Sequence, residues 1–305
     1  MEEKEMNRVR AQLHAEEAYR AGITGRGVTV AILDSGICYH PDYADRIVAF
    51  RDFVNGKAMC YDDASHGSHV SGILGGDGKS SRGRYRGIAP GCGLIHLKIL
   101  DKYGQGNLEN IISAMDWVAE NRERYNIRIM NLSAGASKDD ADYGAKALVK
   151  GVEAAWDAGI VVVVAAGNMG PASGSITVPG NSKKVITVGA SDDFARGGRG
   201  MYVEYSGCGP TRECICKPEL VAPGTGIWSC SPSFRQGRYY SVKSGTSMSA
   251  PAVAGCIALL LEQEPKLTNV EVKMRLKESS RDLGYPKNRQ GWGIPDLRKL
   301  LQIER

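Results

Sequence analysis

The 305-residue chain predicts an α/β fold, a doubly wound and mostly parallel sheet with helices on both faces. Two observations carry that expectation. Short, continuous apolar and β-branched runs recur along the chain, and helix-length segments lie between several of them. Strand, helix, strand, repeated in order, builds parallel pairs through crossover connections. A third observation bears on function. Polar residues stand where three of the runs end, at Asp34, Ser133 and Asn168, and open α/β sheets bind ligands at the carboxyl ends of their strands. Any one of the three could simply cap the next turn; together they argue for a site.

Taken in order, "MEEKEMNRVRAQLHAEEAYRAG" reads as a charged amino-terminal helix that includes His14. "GVTVAILDSG" is a buried strand stopping at Asp34. "SHGSHVSGILGG" begins a helix at which the small Gly67 and Ser68 permit crowding, with His66 at the exposed end and His69, about a turn later, facing inward. "GLIHLKIL", "IRIMNLSAG", "GIVVVVAAGN" and "KVITVGA" read as further strands. "LENIISAMDWVAENRERY" and "YGAKALVKGVEAAWDAG" read as helices, the second ending at Gly159 as a C-cap. The stretch after Ala190 is irregular and Gly-rich until "KPELVAPG", a short strand and turn. "SMSAPAVAGCIALLLEQEP" is apolar all round, which predicts a buried helix from about Ser247, with Pro251 near its first turn where proline costs least. "NVEVKMRLKESS" is a last helix. No repeat or linker divides the chain, so one domain is expected.

Composition narrows the function classes. At 42% hydrophobic and 24% charged, the chain can bury a sizeable core. Its net charge of +5 comes without a dense Lys/Arg run, which argues against a nucleic-acid partner. No apolar run approaches the roughly 20 residues that span a bilayer, so no membrane partner is expected. The first residues lack the basic start, apolar middle and small-residue cleavage site of a signal peptide. If Met1 is the natural start, a cytoplasmic location follows; a leader already removed would make the protein secreted. The eight cysteines are scattered apart from "CGPTRECIC", whose spacing is not that of a metal-binding pair, and are expected to be mostly reduced.

Nucleophilic hydrolysis by a serine needs a base, a carboxylate to orient it, and donors for the oxyanion. "SGTSMSAPAVAG" places Ser247 where it could be a helix cap or a nucleophile. Only five histidines could serve it, and of these His14, His40 and His96 read as structural, which leaves His66 and His69.

"AILDSGI", "HGSHVSG", "AAGN" and "GTSMSAP" resemble the four sequence blocks of the subtilisin-like serine proteases (peptidase S8, subtilases), in the order Asp, His, Asn, Ser known for subtilisin. The resemblance runs from about Ala18 to Asp296. It implies residues 1–17 as an amino-terminal extension and 18–305 as a single catalytic domain. It also implies Asp34 as orienting carboxylate, His66 as general base, Ser247 as nucleophile, and Asn168 with the Ser247 N–H as oxyanion donors. A polypeptide substrate would lie as an added strand between Ser133, Ala134 and Gly135 on one wall and Gly104, Gln105 and Gly106 on the other. Gly167, Met169 and Thr177 would sit at the first specificity pocket. None of them is acidic, so an apolar or uncharged residue before the scissile bond is expected.

"GGDGKSSRGRYRGIAPG" and "LDKYGQGNLENIISAMDWV" are closest to the intracellular branch of that family. No cofactor is expected for catalysis. Asp42 fits one calcium-liganding position, but its loop partners do not match at "GDGKSSRGRYRG". The expected activity is that of a serine endopeptidase, general or restricted to maturation of one substrate. A silent peptide-binding pseudoprotease is the alternative, and loss of a triad residue would be its mark. An α/β hydrolase with a G-x-S-x-G elbow does not fit "SGTSMSA". The oligomeric state is left open.

Overall fold

The computed structural model describes residues 5–133, 143–193, 195–196 and 202–303. In chain order the elements are α1 (Glu5–Leu13), α2 (Ala15–Arg20), β1 (Thr29–Asp34), β2 (Ile47–Asp52), α3 (His66–Gly75), β3 (Gly93–Lys98), α4 (Leu108–Asn121), β4 (Ile127–Leu132) and α5 (Tyr143–Asp157). They continue as β5 (Val161–Ala165), β6 (Ile186–Ala190), β7 (Ala195–Arg196), β8 (Tyr202–Val203), β9 (Leu220–Ala222), β10 (Ile227–Cys230), β11 (Tyr240–Lys243), α6 (Thr246–Gln263), α7 (Asn269–Ser279), α8 (Lys287–Gln290) and α9 (Leu297–Leu300). Seven strands form one parallel sheet in the order β2-β3-β1-β4-β5-β6-β9, as the sequence predicts.

Every residue of β1, β5 and β6 is buried, so both side-chain sets of each strand need cover. Two helix pairs supply it, α3 with α6 and α4 with α5, and members of both pairs reach β1 and β4. Strand β2 sits at the sheet edge and is half-exposed; its sequence "IVAFRD" carries a four-residue apolar run that ends in Arg51 and Asp52. Beside the main sheet, β10 and β11 form an antiparallel hairpin that returns the chain to Lys243, just before α6.

Helix α6 is the centre of the molecule. Residues Thr246 to Leu261 are all buried, and the helix packs on β4, β5, β6 and β9 as well as α3. Pro251 is its sixth residue, so the carbonyl four residues back, that of Ser247, receives no helical N–H. The Ser133 hydroxyl donates to that carbonyl at 3.4 Å instead. Other termini follow the sequence signals: α5 stops before Gly159 in the left-handed region (φ 88°), and α7 opens with a Thr268/Glu271 capping box.

The charged amino-terminal segment departs from the single helix expected. His14 takes a left-handed conformation and divides it into α1 and α2, with its ring 2.9 Å from Asp296. Val9, Leu13, Ala15 and Ala18 are buried in the common core, so this segment packs with the sheet's helices.

Ile257, fully buried on α6, is expected to cost about 2–5 kcal/mol on truncation to Ala. Exposed Val270→Ala on α7 should stay within about 0.5 kcal/mol. Urea unfolding of the two variants checks the pair; equal losses would place α6 outside the core.

Candidate active site

Strand β1 ends at Asp34, which is completely buried. Its Oδ1 accepts the Ser35 N–H at 2.7 Å, and its two oxygens lie 2.7 and 2.9 Å from Nδ1 of His66. Burial disfavours the Asp34 charge, but the adjacent imidazole, its hydrogen bond and the Ser35 N–H outweigh it, and the carboxyl stays below its ordinary range. For His66 burial opposes the charged form, and the Asp34 charge and hydrogen bond overcome it. The imidazole pKa is raised above 6.5.

His66 opens α3, and its place depends on close packing that only small residues allow. A Cβ on Gly67 would come within 2.2 Å of the Gly36 carbonyl oxygen and 2.7 Å of the His96 ring. Asp62 clasps the start of the helix: its Oδ1 accepts from Ser65 N (2.8 Å) and Ser35 Oγ (2.9 Å), its Oδ2 from Ser68 N (2.8 Å). Buried Lys98 reaches Ser35 O (2.6 Å), Asp63 Oδ1 (2.6 Å) and Leu100 O (2.8 Å), tying the turn after β1 to the loop before α3. Sequence reasoning missed Asp62, Asp63 and Lys98. Acidic residues ahead of a helix and a lysine at a strand end are individually ordinary, and only the fold brings them together.

The other histidines serve structure. His69 is buried with Nε2 at 3.0 Å from Ile227 O and 3.1 Å from Ser241 O, and burial lowers its pKa to about 3. His96 is buried, accepts the Gly36 N–H, and is lowered to about 4 by desolvation. His40 donates from Nε2 to Tyr239 O, 2.9 Å away, and accepts the Asp42 N–H at Nδ1, within a group of Tyr and Phe rings.

Ser247 is the second residue of α6 and is buried except for a 9% exposure. Its hydroxyl donates to the Ser133 carbonyl at 3.0 Å, so Ser133 and Ser247 clasp each other through two bonds. Asn168, after β5, is exposed; its Oδ1 accepts the Thr246 N–H (2.9 Å) and hydroxyl (3.2 Å). That fixes the amide orientation and leaves Nδ2 with no hydrogen bond among the described residues. Gly167 has φ 90°, and a Cβ there would meet Thr177 at 2.4 Å, so buried Thr177 packs directly beneath it. Met169 is 57% exposed.

A cleft of about 500 Å³ joins His66 and Ser133 to Gly104 and Gly106, with Lys102 and Lys243 on its walls. Gly106 bridges Leu100, and Asp101 binds the Gln105 backbone, so the 101–106 segment is a closed turn with Gln105 at its exposed tip. Ala134 and Gly135 lie outside the described residues. A separate cavity of about 570 Å³ beside α5 has none of Asp34, His66, Asn168 or Ser247 in its lining.

Asp42 is buried and already occupied by donors: Ser80 N–H on Oδ1 (2.9 Å), Tyr240 O–H on Oδ2 (2.6 Å), and Asp77 N–H and the Arg46 guanidinium on its carbonyl. Arg46 also binds Gly75 O, while Arg10 binds Arg86 O (2.9 Å) and Arg84 O (3.3 Å). Calcium needs six to eight oxygen ligands free to face it. Here those oxygens face guanidinium, amide and hydroxyl donors, and the donor set does not fit the ion.

The sequence profile of the subtilase family matches residues 25–293. Serine protease AprX of Bacillus subtilis (strain 168) is 45% identical over 285 residues, 88% of this chain and 64% of AprX. Subtilisin Savinase of Lederbergia lenta is 33% identical over 274 residues, 90% of this chain and 91% of Savinase. Among solved structures, Sphericase superposes with a TM-score of 0.76 at 27% identity, over 90% of this chain and 92% of Sphericase. The chain therefore spans just under two thirds of the length of AprX. With the family profile covering most of the chain and a relative 33% identical over nine tenths of both lengths, this protein belongs to the subtilase family, the peptidase S8 group of subtilisin-like serine proteases.

Proposed function

We propose that the chain is a serine endopeptidase acting through Asp34, His66 and Ser247 by way of an acyl-enzyme. The observation that carries this reading is the buried Asp34 carboxylate on Nδ1 of His66, which leaves Nε2 as the atom free to take a proton. His66 then removes the Ser247 proton as its oxygen attacks the peptide carbonyl. Asp34 stabilises the imidazolium without itself being protonated. The oxyanion that forms is met by the Ser247 N–H at the start of α6 and by Nδ2 of Asn168. His66 returns its proton to the departing amine, and water repeats the sequence on the ester.

In the free protein the Ser247 hydroxyl is engaged with the Ser133 carbonyl. An extended substrate laid along Ser133 would offer its own N–H to that carbonyl and release the hydroxyl toward His66. Catalytic hydrogen bonds are often completed only with substrate present. The opposite wall is the Gly104–Gln105–Gly106 edge. Gly167, Thr177 and Met169 shape the first pocket for an apolar or uncharged side chain. No helix among the described residues is long and apolar enough to cross a membrane. We place the protein in the cytoplasm, a reading supported by its eight free cysteines. Lys102 and Lys243, which have no carboxylate partner among the described residues, favour a restricted set of substrates over general degradation.

Fluorophosphonate treatment should leave one adduct, on Ser247, absent from Ser247→Ala; an adduct elsewhere, or none on folded protein, would sink the assignment. Ser247→Ala and His66→Ala should each lower kcat by about 10⁶ and Asp34→Ala by about 10⁴, as measured for subtilisin itself. Asn168→Ala should cost roughly 10²–10³. Because only neutral His66 accepts the serine proton and its pKa is raised, kcat/KM should climb with pH through a midpoint above 6.5. A midpoint below 6.5 would mean that desolvation, not Asp34, dominates at His66. We propose that no calcium is held at Asp42: EDTA should leave the melting temperature unchanged, and a fall reversed by calcium would refute this.

A further inference from the structure

We infer that Lys243 makes the cleft select peptides with an acidic side chain just after the bond to be cut. The inference rests on the serine-protease reading above and names the substrate class of that site. Lys243 is the last residue of β11, is half-buried, and lines the same cleft as His66 and Ser133. Its ammonium is held at 3.0 Å by the hydroxyl of Ser65, the residue before His66. No carboxylate pairs with it among the described residues, and no residue lining the cleft is acidic.

The side on which this charge lies follows from the chemistry. Asp34 occupies Nδ1 of His66, so Nε2 exchanges protons with the reacting groups. The departing amine takes its proton from that atom, and the leaving half of the substrate must therefore sit beside His66. The acyl half extends the other way, along Ser133 and the Gly104–Gly106 edge. Anchored on Ser65, Lys243 faces the leaving half. Its charge is close enough to His66 to oppose protonation there. A lysine ammonium on its four-carbon stem reaches a carboxylate one or two residues beyond the cut. Partial burial weakens solvent screening of the pair, and a substrate carboxylate supplies the counter-charge that the protein withholds. Lys102, the other cation of the cleft, is exposed over the ring of Tyr103 at the Gly104 edge and belongs to the acyl side.

The test uses quenched-fluorescent peptides identical except for Glu, Gln or Lys at the first or second position after the cut. They are read as kcat/KM with the full chain, Lys243→Met and Lys243→Glu. Ratios taken within each variant cancel any change in folding or overall rate. The full chain should favour Glu over Lys roughly fivefold to tenfold, attraction and repulsion each being worth about one exposed ion pair. Lys243→Met should erase the ratio, Lys243→Glu should invert it, and rising salt should shrink it. An unaltered ratio in Lys243→Glu, or no charge preference in the full chain, overturns the inference while cleavage itself upholds the protease reading. A Glu preference confined to positions before the cut overturns it too and points to Lys102. No cleavage of any peptide, with no adduct on Ser247, overturns both.

Discussion

The buried charge of Asp34 is the constraint around which the site end of the molecule is arranged. A carboxylate taken out of water must be met by donors or it will be protonated. The donors come from two directions. Ser35 offers its own backbone N–H at the sharp turn after β1, and His66 offers a ring nitrogen from the start of α3. For His66 to reach, α3 must begin almost in contact with the turn after β1, and the glycines at 36 and 67 remove the side chains that would forbid it. The loop between them is then fixed by charge: Asp62 takes the exposed N–H groups of the helix start, and Lys98 draws Asp63 and the carbonyl of Ser35 together. The orientation of the imidazole is thus a consequence of how the buried charge is satisfied.

The serine side of the site is built by a different device. Ser247 stands at the first turn of a helix buried on all sides, so its position is set by the whole core and has little freedom to drift. Pro251 leaves the Ser247 carbonyl without its helical partner, and Ser133 at the end of β4 fills the vacancy while receiving the Ser247 hydroxyl in return. The end of one central strand and the start of the central helix are thereby locked in register. Thr246 does the same for β5, holding Asn168 by its carbonyl oxygen and turning the amide donor outward. Two strand ends and one helix start are thus joined by four hydrogen bonds.

Much of this is legible in the sequence because the residues that converge are also the residues that end each apolar run. A strand buried on both faces announces itself as "VAILD" or "VVVVA", and the polar residue at its end is conspicuous. The edge strand β2 has only the four-residue run "IVAF", and it is half-exposed in the fold. The charged amino-terminal segment reads as one helix through His14, but His14 is left-handed there and its ring bonds Asp296, a residue at the far end of the chain. Asp62, Asp63 and Lys98 escaped for the same reason. The partners of Lys98, Ser35 and Asp63, are brought near it by the parallel pairing of β1 with β3, which sets Lys98 opposite Asp34, and Asp62 joins its local helix-start bonds to the distant Ser35 hydroxyl. Local propensity cannot carry information about such distant partners.

A last regularity connects the site to the rest of the chain. Where loops turn several carbonyls toward one point, a folded protein must supply a cation or individual donors. This chain repeatedly supplies its own. Lys98 gathers two carbonyls and a carboxylate beneath the site, Arg46 and Arg10 bind the carbonyls of the loop after α3, and Lys273 on α7 takes the carbonyls of Lys183, Lys184 and Val185 together with Glu219. A tethered ammonium or guanidinium, unlike a bound ion, cannot be diluted away or chelated. Lys243 stands apart from these lysines and arginines. It alone of them faces the cleft, with the Ser65 hydroxyl as its one hydrogen-bond partner among the described residues, and the proposed acidic side chain of a substrate would meet it there.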